Sequence, residues 1–151
     1  MNLFTAQGLA KRLMKEHIQE EGWIFAWNNR KTEFGNCSYS SKTIALSRPL
    51  TETNTEEEVL DTILHEIAHA IVGPGMGHGS IWQLTAKGLG SNGLRTSKRA
   101  RVSKPVKGIC LKCEKVVAEA HRMGSRMRRS FHRACGPTEG KLVWKRGRHI
   151  L

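Results

Sequence analysis

Residues 65–78 read HEIAHAIVGPGMGH, and this segment constrains the fold more than any other part of the chain. His65 and His69 are four residues apart, so on a helix their side chains project from the same face, one turn apart. A Gly-Pro pair follows one turn later and predicts the end of the helix, because proline cannot continue it. The chain can then turn back and bring His78 toward the first two imidazoles.

The helix itself is predicted by the spacing of its apolar residues. They recur in pairs every four residues on the face opposite the two histidines. Thr55 and Glu58 have the spacing of a capping box, which predicts where the helix begins. Asp61 lies one turn before His65 and has two interpretations. It orients that imidazole, or it is an early acidic residue favoured by the helix dipole.

Three neutral imidazoles can bind a zinc ion and leave the fourth tetrahedral position for water. Zinc lowers the pKa of that water, and Glu66, next to His65, can remove its proton. The segment therefore predicts a catalytic zinc with ligands His65, His69 and His78 and with Glu66 as the base. The alternative is a set of solvated histidines on a polar helix face, since a bare HExxH also occurs by chance.

The motif resembles that of the SprT-like family of zinc metalloproteases, which includes the Spartan DNA–protein crosslink proteases. HEIAHA followed by GHGSIW matches the family pattern of HExxH with a downstream GHG and a bulky apolar residue. The resemblance implies the same three zinc ligands, the same catalytic base and a zinc ribbon after the protease domain. Metzincins are disfavoured, because their HExxHxxGxxH motif requires histidine at the position of Gly75.

A second metal site is predicted in the C-terminal part of the chain. Cys110 and Cys113 form a C-x2-C pair, and His132 with Cys135 forms an H-x2-C pair. This spacing is typical of a zinc ribbon with one cysteine replaced by histidine, and such a closed site is structural. His121 is the alternative fourth ligand.

The fourth cysteine, Cys37, has no partner in range and is interpreted as a buried apolar side chain.

Charge is divided unevenly along the chain. Residues 1–86 carry 7 Lys and Arg against 10 Asp and Glu, whereas residues 87–151 carry 18 against 3, a net charge of +15. Such a basic block predicts contacts with nucleic-acid phosphates, and its alternative is a solvated tail without a dedicated site. The candidate phosphate-binding residues are Lys98, Arg99, Arg101, Arg126, Arg128, Arg129 and Arg133. Phe131 and Trp144 are either stacking platforms for bases or core residues of the ribbon.

These patterns predict an α+β protein with two domains and a connector. Residues 1–89 are expected to form a zincin-like domain, with an N-terminal helix over residues 1–18 and a small antiparallel sheet. Residues 90–107 are the basic connector, and residues 108–151 the ribbon. The three strands are expected within residues 22–27, 31–39 and 43–46.

The predicted activity is that of a zinc endopeptidase acting on proteins bound to nucleic acid, with one catalytic and one structural zinc. The alternative is a nucleic-acid-binding zinc protein that keeps the zincin fold without proteolysis. The resemblance implies DNA, with single-stranded character, more than RNA. We expect a monomer without a membrane span, since no apolar run approaches the needed length. Cysteines used as thiolates suggest the cytoplasm of a bacterium or a phage-infected cell.

Overall fold

The computed structural model describes residues 1–96, 102 and 104–151 of the chain. The chain divides into two compact units, Met1–Val102 and Ser103–Leu151. The segment expected to connect two domains, residues 90–107, is shared between these units.

The first unit combines helices with one small sheet. Helix α1 (Leu3–Ile18) begins at an Asn2 cap, whose side chain accepts hydrogen bonds from the backbone N–H groups of Phe4 and Thr5. After α1, the strands and α-helices of this unit are, in chain order, β1 (Ile24–Asn28), β2 (Gly35–Ser38), β3 (Thr43–Ser47), α2 (Arg48–Thr53), α3 (Glu56–Val72) and α4 (Ser80–Leu89). The order along the chain agrees with an α+β fold, in which α1 and α3 pack together beside the sheet.

The sheet is mixed, so the expectation of an antiparallel sheet was wrong for one of its two strand pairs. Its order is β1-β3-β2, with β2 antiparallel and β1 parallel to β3. A tight turn joins β2 to β3 and makes that pair antiparallel, whereas residues 29–34 carry the chain past the end of β3 to the other edge. At that end, the backbone N–H of Ser47 donates to the carbonyl of Phe34 at 2.8 Å.

Helix α3 lies in the core of the first unit. The predicted capping box is present, because Thr55 and Glu58 exchange their hydrogen bonds at the start of the helix. Ile63 and Ile67 are fully buried and face the core formed with α1 and the sheet. The helix ends at Gly73, whose φ of 84° favours glycine. Burial on this scale fixes the rotation of α3 and thus the direction in which its polar residues point.

The second unit is an antiparallel sheet with long loops. Its strands are β4 (Val106–Cys110), β5 (Val116–Ala120), β6 (Leu142–Arg146) and β7 (His149–Ile150), in the order β5-β4-β6-β7. Two short 3-10 helices, Ser125–Arg129 and Arg133–Cys135, lie in the loop before β6. Gly108 faces Trp144 across the strands, and a Cβ there would lie 2.9 Å from the indole ring. Only glycine therefore lets this indole lie flat on β4.

None of the described helices combines the length and the apolar character that crossing a bilayer would require.

Candidate metal centre and active site

Three histidine side chains of the first unit converge on one point. His65 and His69 lie one turn apart on α3, and His78 reaches them from the turn between α3 and α4. The Nε2 atom of His78 lies 3.0 Å from that of His65 and 3.0 Å from that of His69. The turn folds back sharply because Gly75 and Gly77 adopt φ values of 83° and 53°, which other residues rarely adopt. The structure therefore brings together the three histidines that the sequence singled out.

Trp82 of α4 supports the three imidazoles. Its ring centre lies 4.6 Å from that of His65, 5.2 Å from that of His69 and 4.6 Å from that of His78. The indole is 1% exposed, and its Nε1 donates to the backbone carbonyl of His65 at 3.4 Å. Trp82, the bulky apolar residue of the motif, thus packs against all three imidazoles and limits their rotation.

The histidine cluster has the charge state and spacing that a metal ion needs. Burial, with a smaller effect of His78, lowers the pKa of His69 to about 4, so this imidazole is neutral at pH 7. One neutral nitrogen offers either one N–H or one lone pair, so the Nε2 atom of His78 cannot satisfy both neighbours through hydrogen bonds. A cation can accept all three lone pairs. Tetrahedral zinc would place such nitrogens about 3.3 Å apart, close to the observed 3.0 Å.

Glu66 lies on the side of α3 that faces strand β2. Its side chain is 7% exposed, and the strand approaches it at Gly35. A Cβ atom at that position would lie 2.5 Å from Oε1 of Glu66 and 2.8 Å from Cγ2 of Thr62. The absence of a side chain at this position lets β2 lie directly against the carboxylate.

Two more residues of this segment, Cys37 and Tyr39, lie near the same carboxylate. Burial, then the charge of Glu66, raises the pKa of the Cys37 thiol to about 12, which excludes it as a nucleophile at neutral pH. Burial also raises the pKa of Tyr39, so its hydroxyl keeps its proton. That hydroxyl donates to the backbone carbonyl of His69 at 3.0 Å. Sequence reasoning missed Gly35 and Tyr39, because their approach to α3 is a long-range contact without a local pattern.

The carboxylate of Asp61 accepts hydrogen bonds from Ser91 and Asn92, in the turn that follows α4. Both interpretations of Asp61 from the sequence considered only its own helix, so this role of the residue was missed.

The Gly35→Ala substitution tests how closely β2 and α3 are fitted. The added methyl group meets Glu66 and Thr62 at 2.5–2.8 Å, and Thr62 is 1% exposed, so the strand must shift. We expect the free energy of unfolding to fall by about 1–3 kcal/mol, the usual cost of overpacking. Urea denaturation monitored by circular dichroism at 222 nm measures this free energy. The signal reports on the first unit, because all α-helices of the described residues lie there.

Gly8→Ala is the matched control for this prediction. Gly8 is exposed on α1, and a Cβ atom there would have no neighbour within 4 Å. Alanine there should raise the free energy of unfolding by about 0.5–1 kcal/mol, because glycine is the poorer helix former. An equal rise in the free energy of unfolding in both variants would contradict the prediction, because it would show that a methyl group fits at Gly35 as well as at Gly8.

A second group of ligand atoms lies in the second unit. Cys110, Cys113, His132 and Cys135 place their sulfur and nitrogen atoms within 4.8 Å of one another. Nδ1 of His132 lies 3.5 Å from Sγ of Cys113 and 3.2 Å from Sγ of Cys135. Tetrahedral zinc with thiolate and imidazole ligands would separate such atoms by about 3.5 Å. The structure brings His132 to the thiols, and His121 is not part of this group.

The surroundings of these thiols favour a bound cation. Desolvation would raise the pKa of Cys110, but hydrogen bonds from the backbone of Cys113 and Lys112, together with those of the His132 and Cys113 side chains, lower the pKa to about 6. Burial and the neighbouring thiols raise the pKa of Cys135 to about 11. Without a metal ion, one thiolate thus opposes ionisation of the next, and a divalent cation removes this repulsion.

Gly140 packs closely against the residues that carry two of these ligands, and the sequence analysis did not identify it. A Cβ there would lie 2.7 Å from the carbonyl oxygen of His132 and 2.9 Å from Cβ of Cys135.

The candidate phosphate-binding residues fall into two sets. Arg126, Arg128 and Arg129 are exposed on the first 3-10 helix of the second unit, and Arg133 is exposed on the next. Lys98, Arg99 and Arg101 lie outside the described residues. Beside the first set is a cavity of about 560 Å³, lined by residues that include Phe131, Leu142, Trp144, Arg126 and Arg133.

The aromatic candidates differ in exposure. Phe131 is 42% exposed, whereas Trp144 is 5% exposed and its indole N–H donates to the carbonyl of Met127 at 2.8 Å. Trp144 is therefore a core residue of this unit with one edge in the cavity.

Comparison with known proteins assigns the chain to a family. The sequence profile of the SprT-like family matches residues 6–104, well over half of the chain. The chain therefore belongs to the SprT-like family. No curated protein matches it.

One similar solved structure is the crystal structure of the metallopeptidase zymogen of Methanocaldococcus jannaschii jannalysin. The two sequences are 20% identical, and the TM-score is 0.50. The match covers 58% of this chain and 83% of that chain. At this identity the likeness shows a shared fold, which agrees with the zincin-like domain expected from the sequence.

Proposed function

We propose that this protein is a zinc-dependent endopeptidase. The observation that carries the proposal is the convergence of three imidazoles, with Nε2 of His78 at 3.0 Å from those of His65 and His69, beside the helix that also holds Glu66. His65, His69 and His78 are the zinc ligands. A scaffold would need these ligands but not an acidic residue beside them, so Glu66 favours an enzyme over a purely structural zinc protein. The shared fold with a metallopeptidase supports the same conclusion.

Peptide hydrolysis joins a water oxygen to the carbonyl carbon and breaks the bond from that carbon to nitrogen. Zinc, when bound, supplies a Lewis acid that acidifies water and polarises the carbonyl group. Glu66 removes a proton from the attacking water and delivers it to the leaving nitrogen. Because strand β2 lies directly against this side chain at Gly35, its carboxylate needs little reorganisation during the reaction.

Strand β2 provides a place for an extended substrate. It lies at the edge of the sheet and runs beside α3, where Gly35 contacts Glu66. The edge of a sheet offers backbone N–H and C=O groups to another chain, so a peptide can bind as an additional strand. Such binding uses the peptide backbone, as an endopeptidase with broad specificity requires.

The second unit is a zinc ribbon in this proposal. Cys110, Cys113, His132 and Cys135 bind a structural zinc, which leaves no position for water. This unit contains few other means of stabilisation, since Val106, Cys110 and Trp144 are its buried apolar residues among those described. Small domains of this kind depend on a metal ion to remain folded.

The ribbon binds nucleic acid, and DNA with single-stranded character is the proposed ligand. Among the described residues of the second unit, Glu119 pairs with Lys107 and Glu139 with Lys112. The arginines between the Cys110–Cys113 pair and the His132–Cys135 pair have no carboxylate within 4.0 Å among the described residues of this unit. Unpaired guanidinium groups beside the partly exposed ring of Phe131 suit phosphates and an unstacked base. The substrates are then proteins bound to nucleic acid.

Glu66→Gln and His69→Ala test the peptidase. The glutamine variant keeps all three imidazoles, so it should retain zinc but hydrolyse a peptide about 10²–10⁴ times more slowly than the wild type. His69→Ala should lose both zinc and activity, because it removes a ligand. Elemental analysis and a fluorogenic-peptide assay give the two readouts. Wild-type hydrolysis by Glu66→Gln would contradict the role of the base, and equal zinc loss in both variants would make Glu66 a ligand.

The pure protein should bind two zinc ions per chain, because the two donor groups are separate. The double substitution Cys110→Ser with Cys113→Ser should lower the zinc content to one and unfold the second unit, with the helical signal retained. Zinc analysis and circular dichroism at 222 nm measure these effects. A wild-type content of one zinc, unchanged in the double variant, would rule out the ribbon site.

Arg126, Arg128 and Arg129, replaced together by alanine, test the nucleic-acid contact. Each phosphate contact contributes about 0.7–0.9 to the slope of log affinity against log salt, so the slope should fall by about 2. Fluorescence anisotropy of a labelled single-stranded oligonucleotide measures this slope. Hydrolysis of a short peptide should not change.

The matched control removes the same charge from α1, by replacing Lys11, Arg12 and Lys15, which are exposed. Equal effects of the two triple substitutions on the slope would show that binding depends on net charge alone and not on the site of the arginines. Competition among single-stranded DNA, duplex DNA and RNA tests the proposed preference, which equal binding of all three would contradict.

A further inference from the structure

The third histidine of the cluster, His78, is not fixed by the turn that carries it. Residues 74–80 are all exposed. A Cβ atom at Gly75 or Gly77 would have no neighbour within 4 Å, so at these two positions the turn packs against nothing in the described part of the chain. Helix α4 begins two residues after His78. The position of the His78 imidazole therefore depends on where α4 lies.

The beginning of α4 is held only weakly. Its N-cap is Gly79, and no side chain accepts a hydrogen bond from its first turn. Nε1 of Trp82 lies 3.4 Å from the carbonyl oxygen of His65, which is longer than a usual N–H···O hydrogen bond. The apolar contact between α4 and α3 comprises Ala68, Trp82 and Ala86, which are buried, and Val72 and Leu89, which are partly buried. Two of the three buried side chains are single methyl groups, so this contact resists a tilt of α4 only weakly.

The other end of α4 is held by Asp61 of α3. Oδ1 of this carboxylate accepts hydrogen bonds from the hydroxyl of Ser91 at 2.7 Å and from the backbone N–H of Asn92 at 2.8 Å. Its Oδ2 accepts a third from Nδ2 of Asn92 at 2.9 Å. Hydrogen bonds to a carboxylate are stronger than those between neutral groups. The turn after α4 is therefore bound firmly to the helix that carries the other two histidines.

Backbone hydrogen bonds join this turn to the last turn of α4. The N–H of Ser91 donates to the carbonyl of Ala86 at 2.9 Å, and the N–H of Gly90 donates to the carbonyl of Lys87 at 3.0 Å. Ser91 is 7% exposed, so its hydroxyl has little access to water as an alternative partner. Asp61 thus holds the end of the helix itself and not only the loop that follows it.

The length of α4 makes this attachment important at its other end. The helix has 10 residues and is therefore about 15 Å long. A tilt of about 5° at one end of such a helix moves the other end by about 1 Å. Distances from zinc to its ligands vary by only about 0.2 Å. His78 and Trp82 both lie at the end that would move, so a small tilt would displace a ligand and the ring that packs against all three imidazoles.

We propose that Asp61 is a positioning residue for the zinc site. By holding the end of α4, its carboxylate keeps His78 and Trp82 in the geometry that binds the ion. One side chain of α3 thus joins the helix of the first two ligands to the helix that places the third. This inference rests on the proposed function.

The first test measures zinc affinity in the full-length protein by competition with a chromophoric chelator. In Asp61→Ala, the affinity of the three-histidine site should fall by about 10–100-fold, the usual cost of losing a residue that supports a ligand. The affinity of the second donor group, which lies in the other unit, should not change and is an internal control. Asp61→Asn should recover part of the loss, because its amide oxygen can still accept from Ser91 and from the N–H of Asn92.

Thr55→Ala is the matched control. It removes the cap at the start of the same helix and should lower stability, but it leaves the end of α4 attached. Its three-histidine site should bind zinc as tightly as that of the wild type. Equal losses of zinc affinity in Thr55→Ala and Asp61→Ala would overturn the proposal, because any destabilisation of α3 would then have the same effect.

Cobalt(II) gives a spectroscopic readout that a loss of stability does not move. Its visible absorption depends on the arrangement of its ligands, and thiolate-to-cobalt charge transfer marks the second site separately. At saturating cobalt, Asp61→Ala should alter the absorption of the three-histidine site and leave the thiolate band unchanged. An unaltered spectrum together with unchanged zinc affinity would contradict the role of Asp61.

Ser91→Ala distinguishes an effect through α4 from a direct effect of Asp61 on its own helix. It removes one of the three hydrogen bonds without changing α3, so zinc affinity should fall by about threefold to tenfold. Added to Asp61→Ala, it should have little further effect, because the two residues act as one contact. A full loss in Asp61→Ala with none in Ser91→Ala would overturn the proposal.

Failure of the proposed function gives a different result. A wild-type protein that binds zinc at the three histidines but hydrolyses no peptide would refute the peptidase, and the zinc affinities of the variants would still decide the role of Asp61. A wild-type protein without zinc at this site would refute both proposals.

Discussion

The convergence of three imidazole nitrogens at one point is the constraint on which the first unit depends. His65 and His69 are placed by the rotation of α3, which buried side chains such as Ile63 and Ile67 determine. His78 is placed by a glycine-rich turn and by Trp82, which contacts all three imidazoles. Nitrogen atoms at 3.0 Å cannot all satisfy one another, so the folded chain is preorganised for a cation.

Much of this arrangement could be predicted from the sequence because it is local. The spacing of His65 and His69, the Thr55 cap and the Gly-Pro break all act within a few turns of one helix. The same applies to the second unit, where Cys110 with Cys113 and His132 with Cys135 form two short ligand pairs. Short spacings restrict geometry strongly, so they indicate which atoms can meet before the rest of the fold is known.

The contacts that sequence analysis missed join residues far apart in the chain. Gly35 approaches Glu66, Tyr39 donates to the carbonyl of His69, and Asp61 binds the turn after α4. No periodic pattern in the sequence marks such pairs. The parallel pairing of β1 with β3 was missed for the same reason, because it too depends on contacts between distant parts of the chain. Asp61 shows the difficulty best, since both interpretations of it considered only its own helix. Its partners are 30 and 31 residues away.

The distribution of charge gives the two units different roles in the proposed reaction. Residues 1–86 have a net negative charge, so this part of the chain is repelled by nucleic-acid phosphates. In the proposed function, the basic residues of the second unit offset that repulsion and raise the concentration of the peptidase near a DNA-bound protein. Selection of substrates then depends on where the protein is held more than on which side chains the active site accepts. An edge strand that binds peptide backbone is suited to this, because it discriminates little among sequences.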